Sequence, residues 1–74
     1  MTRQQRDSQH RYEILVRGHL GATMLRAFPA LVAQVRDGDT LLGADLPDQA
    51  ALYGVLHQIE ALGLELLELR RLPG

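Results

Sequence analysis

The stretch from Asp37 to Leu72 limits the fold more than any other part of this chain. Asp37, Gly38 and Asp39 stand between two alternating apolar segments, and glycine tolerates the positive φ of a hairpin turn, so a β-hairpin is predicted here. One arm is Ala30 to Arg36, with Leu31, Ala33 and Val35 on one face and Val32, Gln34 and Arg36 on the other. The returning arm is Thr40 to Leu46, in which Gly43 weakens the strand and marks a bulge or a close backbone approach. Pro47 and Asp48 then open a helix predicted over Asp48 to Leu62. Leu52, Val55, Leu56, Ile59 and Leu62 follow helical spacing and form its core face, while Gln49, Tyr53, His57 and Glu60 line the opposite side. Gly63 occupies the place of a left-handed C-terminal cap. Leu64 to Leu72 reads as a last strand, with Leu67 and Leu69 on one face and Leu64, Leu66, Glu68, Arg70 and Leu72 on the other.

The first half completes the pattern. Tyr12 to Leu20 alternates with period two, and Tyr12, Ile14 and Val16 form its core face. Gly21 to Phe28 reads as a short helix that supplies Met24, Leu25 and Phe28 and is stopped by Pro29. The order strand, short helix, strand, strand, helix, strand is the split pattern of an α+β, ferredoxin-like β-α-β-β-α-β fold. Both helices are expected to cover one face of a four-stranded antiparallel sheet. The domain is expected over residues 11–74, with residues 1–10 as a disordered, polar tail.

A chain of 74 residues is marginal as a lone domain, and small domains are usually reinforced by disulfides, a metal or a partner subunit. Disulfides and thiolate metal sites are excluded because there is no cysteine. The sheet face away from the helices is expected to carry Leu15, Arg17 and His19 from the first strand and Leu66, Glu68 and Arg70 from the last. Packing that face against a second copy would bury its apolar groups, so a homodimer with Leu15, Arg17, Leu66, Glu68 and Arg70 at the interface is expected.

The formal net charge of −1 gives no long-range attraction to nucleic acid or an anionic membrane. The central strands lack the exposed aromatics on which RNA-recognition motifs stack bases. No apolar run approaches the roughly 20 residues that span a bilayer, and Met1 to His10 lack the apolar core of a signal peptide. A cytoplasmic protein with neither nucleic-acid nor membrane partners is expected, and the lack of cysteine fits a reducing compartment.

A resemblance emerges from these residues. The run Asp48-Gln49-Ala50-Ala51-Leu52, then Gly54, Leu56, Ile59, Leu62-Gly63-Leu64, Leu67 and Arg70-Arg71, gives the pattern DQAALxGxLxxIxxLGLxLLxLRR. It resembles the C-terminal half of a group of short uncharacterised bacterial proteins that open with a Tyr-Glu-Ile-x-Val-Arg-Gly-like strand, as Tyr12 to Gly18 does here. The resemblance covers most of residues 12–72 and implies a small ferredoxin-like domain, without implying an activity.

Few residues carry recognisable chemistry. His10, His19 and His57 have neither helical ligand spacing nor a neighbouring cysteine, so no preformed zinc site is expected. The glycines form no phosphate loop, and no cofactor is expected. Arg17, His19 and Arg70 are the candidate ligand-binding residues, with Arg17 and Arg70 able to clamp a carboxylate, although cross-strand ion pairs with Glu13 and Glu68 explain the same pattern. No catalytic residue is assigned. The expected function is a non-catalytic homodimeric module that binds a protein partner or a small ligand. The alternative is a small-molecule sensor resembling ACT domains, or a minimal enzyme, with a pocket under the first helix lined by Tyr12, Met24 and Phe28.

Overall fold

The computed structural model describes residues 10–73. Six elements follow one another: β1 (His10–Val16), α1 (Ala22–Leu25), β2 (Val32–Arg36), β3 (Asp39–Leu46), α2 (Gln49–Ala61) and β4 (Leu66–Leu72). The strands form one antiparallel sheet in the order β2-β3-β1-β4. The expected α+β architecture, its element order and its four-stranded sheet are therefore present. The expected tail lies outside the described residues except for His10, which opens β1 instead of ending a tail.

The sheet's register divides its side chains into two faces. Tyr12, Ile14 and Val16 of β1 stand beside Ala44, Leu42 and Thr40 of β3. With Leu46 they form one wall of a core closed by Phe28 from the segment after α1 and by Leu52 and Ile59 from α2. Ile14, Val16 and Leu42 are fully buried at its centre. Of the predicted helix face, Val55 and Leu56 are half-buried and pack against this core, whereas Leu62 at the helix end is exposed.

The turn chemistry follows the sequence. Asp37 (φ 51°) and Gly38 (φ 87°) are the two left-handed residues between the paired Arg36 and Asp39, the conformation that a two-residue hairpin turn requires. At the start of α2 the Asp48 carboxylate accepts a hydrogen bond from the Ala51 N–H at 2.9 Å. At its end Gly63 adopts φ 76°, its N–H donates to the Glu60 carbonyl, and the Leu64 N–H donates to Ile59. This pairing satisfies two orphan helix carbonyls and returns Leu64 to the core.

Several boundaries differ from the sequence expectation; β2, for one, starts at Val32 and not at Ala30. β1 ends at Val16, not Leu20, because Gly18 turns the chain at φ 83°. The Gly18 N–H donates to Asp39 Oδ1 at 2.8 Å, and the Thr40 hydroxyl donates to the Gly18 carbonyl at 2.7 Å, so the turn is tied to β3. The first helix is one turn, Ala22–Leu25, and three-residue turns carry the chain on to Phe28. The last strand starts at Leu66, with a register shift where Leu15 pairs with Glu68 but Val16 pairs with Leu66. That shift explains the adjacent leucines: an extra residue interrupts the alternation of β4.

Candidate functional site

The face of the sheet turned away from the core carries most of the polar chemistry. By register it presents Arg11, Glu13 and Leu15 of β1, Leu41, Gly43 and Asp45 of β3, Val32, Gln34 and Arg36 of β2, and Glu68, Arg70 and Leu72 of β4. Leu41 is the anchor of this face. It lies beside Leu15 and Gln34 in the sheet and is only 7% exposed.

Gly43 creates a depression here. It pairs with Glu13 on one side and Val32 on the other, and having no side chain it leaves the surface between them low. The resulting hollow is about 340 Å³ and is bordered by Arg11, Glu13, Val32, Gln34, Asp45 and Leu72. A Cβ at Gly43 would meet nothing nearer than the Val32 carbonyl oxygen at 3.8 Å, so the space above the backbone is open. A volume of this size lies at the lower end of the range for small-molecule sites. A smaller notch of about 30 Å³ lies on the same face among Leu15, Leu41, Arg36, Glu68 and Arg70.

Electrostatics mark one end of the hollow. Arg11 and Asp45 are cross-strand neighbours and form a two-pronged ion pair, with Nε to Oδ1 at 2.8 Å and Nη2 to Oδ2 at 3.1 Å. The hydrogen bonds from Arg11 hold the Asp45 carboxyl below the ordinary carboxylate range, and the same bonds raise Arg11. Glu13, on the opposite border, is approached loosely by Arg70 at 3.8 Å. The hollow therefore offers acceptor oxygens, one occupied guanidinium and apolar flanks from Val32 and Leu72.

The residues singled out from the sequence are distributed as follows. Leu15, Glu68 and Arg70 share the open face, and Leu15 stands directly opposite Glu68. Arg70 approaches both Glu13 and Glu68, at 3.8 and 3.6 Å. Arg17 lies beyond the end of β1, where it pairs with Glu65 at 2.9 Å, so Arg17 and Arg70 engage different carboxylates. His19 is in the exposed connection after β1. Leu66 pairs with Val16 at the register shift, outside the alternation of Glu68 and Arg70. Tyr12 and Phe28 belong to the hydrophobic core and Met24 is half-buried. His10 packs edge-on to the Tyr12 ring and lies 2.8 Å from Arg71 Nη2. Among the described residues, no three His, Asp or Glu side chains are placed to hold a metal ion.

The hollow itself was not anticipated. From the sequence Gly43 weakens its strand and marks a bulge or a close backbone approach, whereas the structure pairs it regularly, and the signal for the site is the position of that glycine opposite Glu13. That pairing requires the register. Residues 11–70 match the family model described as Domain of unknown function (DUF8691). No curated protein and no solved structure matches the chain.

Proposed function

We propose that this chain, which belongs to the DUF8691 family, is a non-catalytic, homodimeric ferredoxin-like module that binds a small ligand or a partner side chain on its open sheet face. The hollow above Gly43 carries this reading. A glycine in the middle of a strand costs stability, and the position is one where a larger residue fits without a clash, so the packing of the domain gives no reason for it. Glu13, Gln34 and the Arg11–Asp45 pair surround the depression with hydrogen-bonding groups from three neighbouring strands, which is how a small site fixes the orientation of what it holds. The acceptor-rich border suits a compound that brings hydrogen-bond donors, such as an amine or an amino acid. The ferredoxin-like assignment rests on the element order and on the β2-β3-β1-β4 arrangement. Self-association is supported by the small size of the domain and by exposed leucines outside the core. A reducing cytoplasm suits a chain without cysteine.

A thermal-shift screen with amines, amino acids and metabolite acids tests the binding site, using Gly43→Val as the comparison. Valine raises the floor of the depression and favours a strand, so the variant is expected to be at least as stable as the native chain and to lose or weaken any ligand-induced shift. A shift undiminished in Gly43→Val, or no shift with any compound, rejects the site. Sedimentation at roughly 100 μM populates even a micromolar dimer, so a strict monomer there rejects the homodimer.

A further inference from the structure

We infer that two copies of this chain join edge to edge through β4, antiparallel about a two-fold axis passing beside Leu69, to give one continuous eight-stranded sheet. The inference rests on the homodimer proposed above and specifies the surface that makes it. Two observations carry it.

The first is the pattern of charge along the strand. Among the described residues β4 is an edge strand, paired with β1 on one side and with no strand on the other. Antiparallel neighbours related by a two-fold axis normal to the sheet keep the same face, so the axis must pass beside a residue and set equal steps on either side of it opposite each other. About Leu69, Glu68 of one copy stands opposite Arg70 of the other, and Arg70 opposite Glu68, while the two Leu69 side chains meet. About Glu68, two glutamates would face each other, and about Arg70 or Arg71, two arginines would. Among registers that use the middle of the strand, the one about Leu69 matches opposite charges and opposes no like pair. Within one copy Arg70 is held loosely, at 3.6 and 3.8 Å from its carboxylates, so it is available to a partner.

The second is exposure on the core side. Leu69 is directly beside the fully buried Ile14 and yet is 40% exposed. Leu67, in the same strand, is 38% exposed as well. The core stops short of this edge, and a second copy placed there would extend it across the junction. The β2 edge offers no such match: about its central residue, Gln34, Arg36 would face Val32. Joining through β4 also leaves the hollow at Gly43 open in both copies, because its borders lie mainly on β1, β2 and β3.

The native chain has no cysteine, so single introduced cysteines report the contact cleanly. Directly opposed residues in an antiparallel pair have Cα atoms about 4.5–5.5 Å apart, within the range that a disulfide spans. Oxidation of Leu69→Cys with copper phenanthroline is expected to give a covalent dimer. Leu15→Cys, which reports sheet-to-sheet packing, and Gln34→Cys, which reports the β2 edge, are expected to stay monomeric on denaturing gels. Glu68→Arg opposes like charges across the junction and is expected to weaken the native dimer about tenfold or more, with circular dichroism checking that the variant folds. A native dimer in which Leu15→Cys or Gln34→Cys cross-links and Leu69→Cys does not would overturn the β4 junction and leave self-association standing. A dimer unaffected by Glu68→Arg would overturn the Leu69 register. A strict monomer at roughly 100 μM overturns both this junction and the homodimer.

Discussion

Thr40 donates its hydroxyl to the Gly18 carbonyl at 2.7 Å and accepts from the Leu20 N–H at 3.3 Å, so one buried side chain fixes the path of the chain leaving β1. Thr40→Val keeps the shape and removes both bonds, leaving the part-buried Gly18 carbonyl without its partner. The expected loss is about 1–3 kcal/mol. Thr40→Ser retains the hydroxyl and is expected to lose less. Chemical denaturation measures both, and equal losses would deny the hydroxyl its role.

The start of α2 depends on the Asp48 carboxylate, which satisfies the Ala51 N–H. Asp48→Ala is expected to destabilise the domain by about 1 kcal/mol. In a domain of this size that lowers Tm by roughly 4–8 °C. Asp48→Asn keeps an accepting oxygen and is expected to retain most of the stability.

At the other end of the helix, Gly63 sits at φ 76° with open space where a Cβ would go. A side chain there is strained by the backbone alone. Gly63→Ala is expected to cost roughly 1–2 kcal/mol, and Gly54→Ala, in the same helix at an exposed position without that conformation, is expected to be neutral or stabilising. Thermal unfolding of the two variants gives the comparison directly.

The Arg11–Asp45 pair makes a pH prediction whose sign is fixed by the depressed carboxyl. A carboxylate with a lower pKa in the folded chain adds stability at pH values above the unfolded value, about 3.9. That contribution is lost as the pH falls through the folded value. Both side chains are well exposed, so the effect on stability is small. The clear readout is the titration itself. In Arg11→Ala the Asp45 midpoint, followed by NMR, is expected to rise toward the ordinary carboxylate range, and an unchanged midpoint would show that the hydrogen bonds from Arg11 are not its cause.

Much of the fold was legible because local signals agreed with one another. Asp37-Gly38 specified a turn, Asp48 and Gly63 marked the two ends of a helix, and the alternation of Tyr12, Ile14 and Val16 named the core face of β1. Tertiary contacts set the rest. Gly18 ends β1 because Asp39 and Thr40, more than 20 positions away, hold the turn, and nothing near Gly18 in the sequence announces them. The adjacent leucines Leu66 and Leu67 break the period-two pattern of β4 for a physical reason, since they sit at a register shift where alternation fails. The open face was anticipated as a surface, and Leu15, Glu68 and Arg70 do share it. Its hollow was not legible, because Gly43 acquires meaning only when Glu13 and Val32 are set on either side of it.

Among the described residues β2 pairs with β3 alone and has none of its five side chains buried, with Val32 and Val35 at 67% and 66% exposure. β1, by contrast, is flanked on both sides and contributes three residues to the core. Detaching β2 would therefore uncover little oil and break one ladder of backbone bonds, so the hairpin arm can peel away while the remaining strands and α2 stay together. Deuterium uptake should then run as a gradient across the sheet, quickest at β2 and slowest at β1, and the seam between β2 and β3 becomes the place where this small domain breathes.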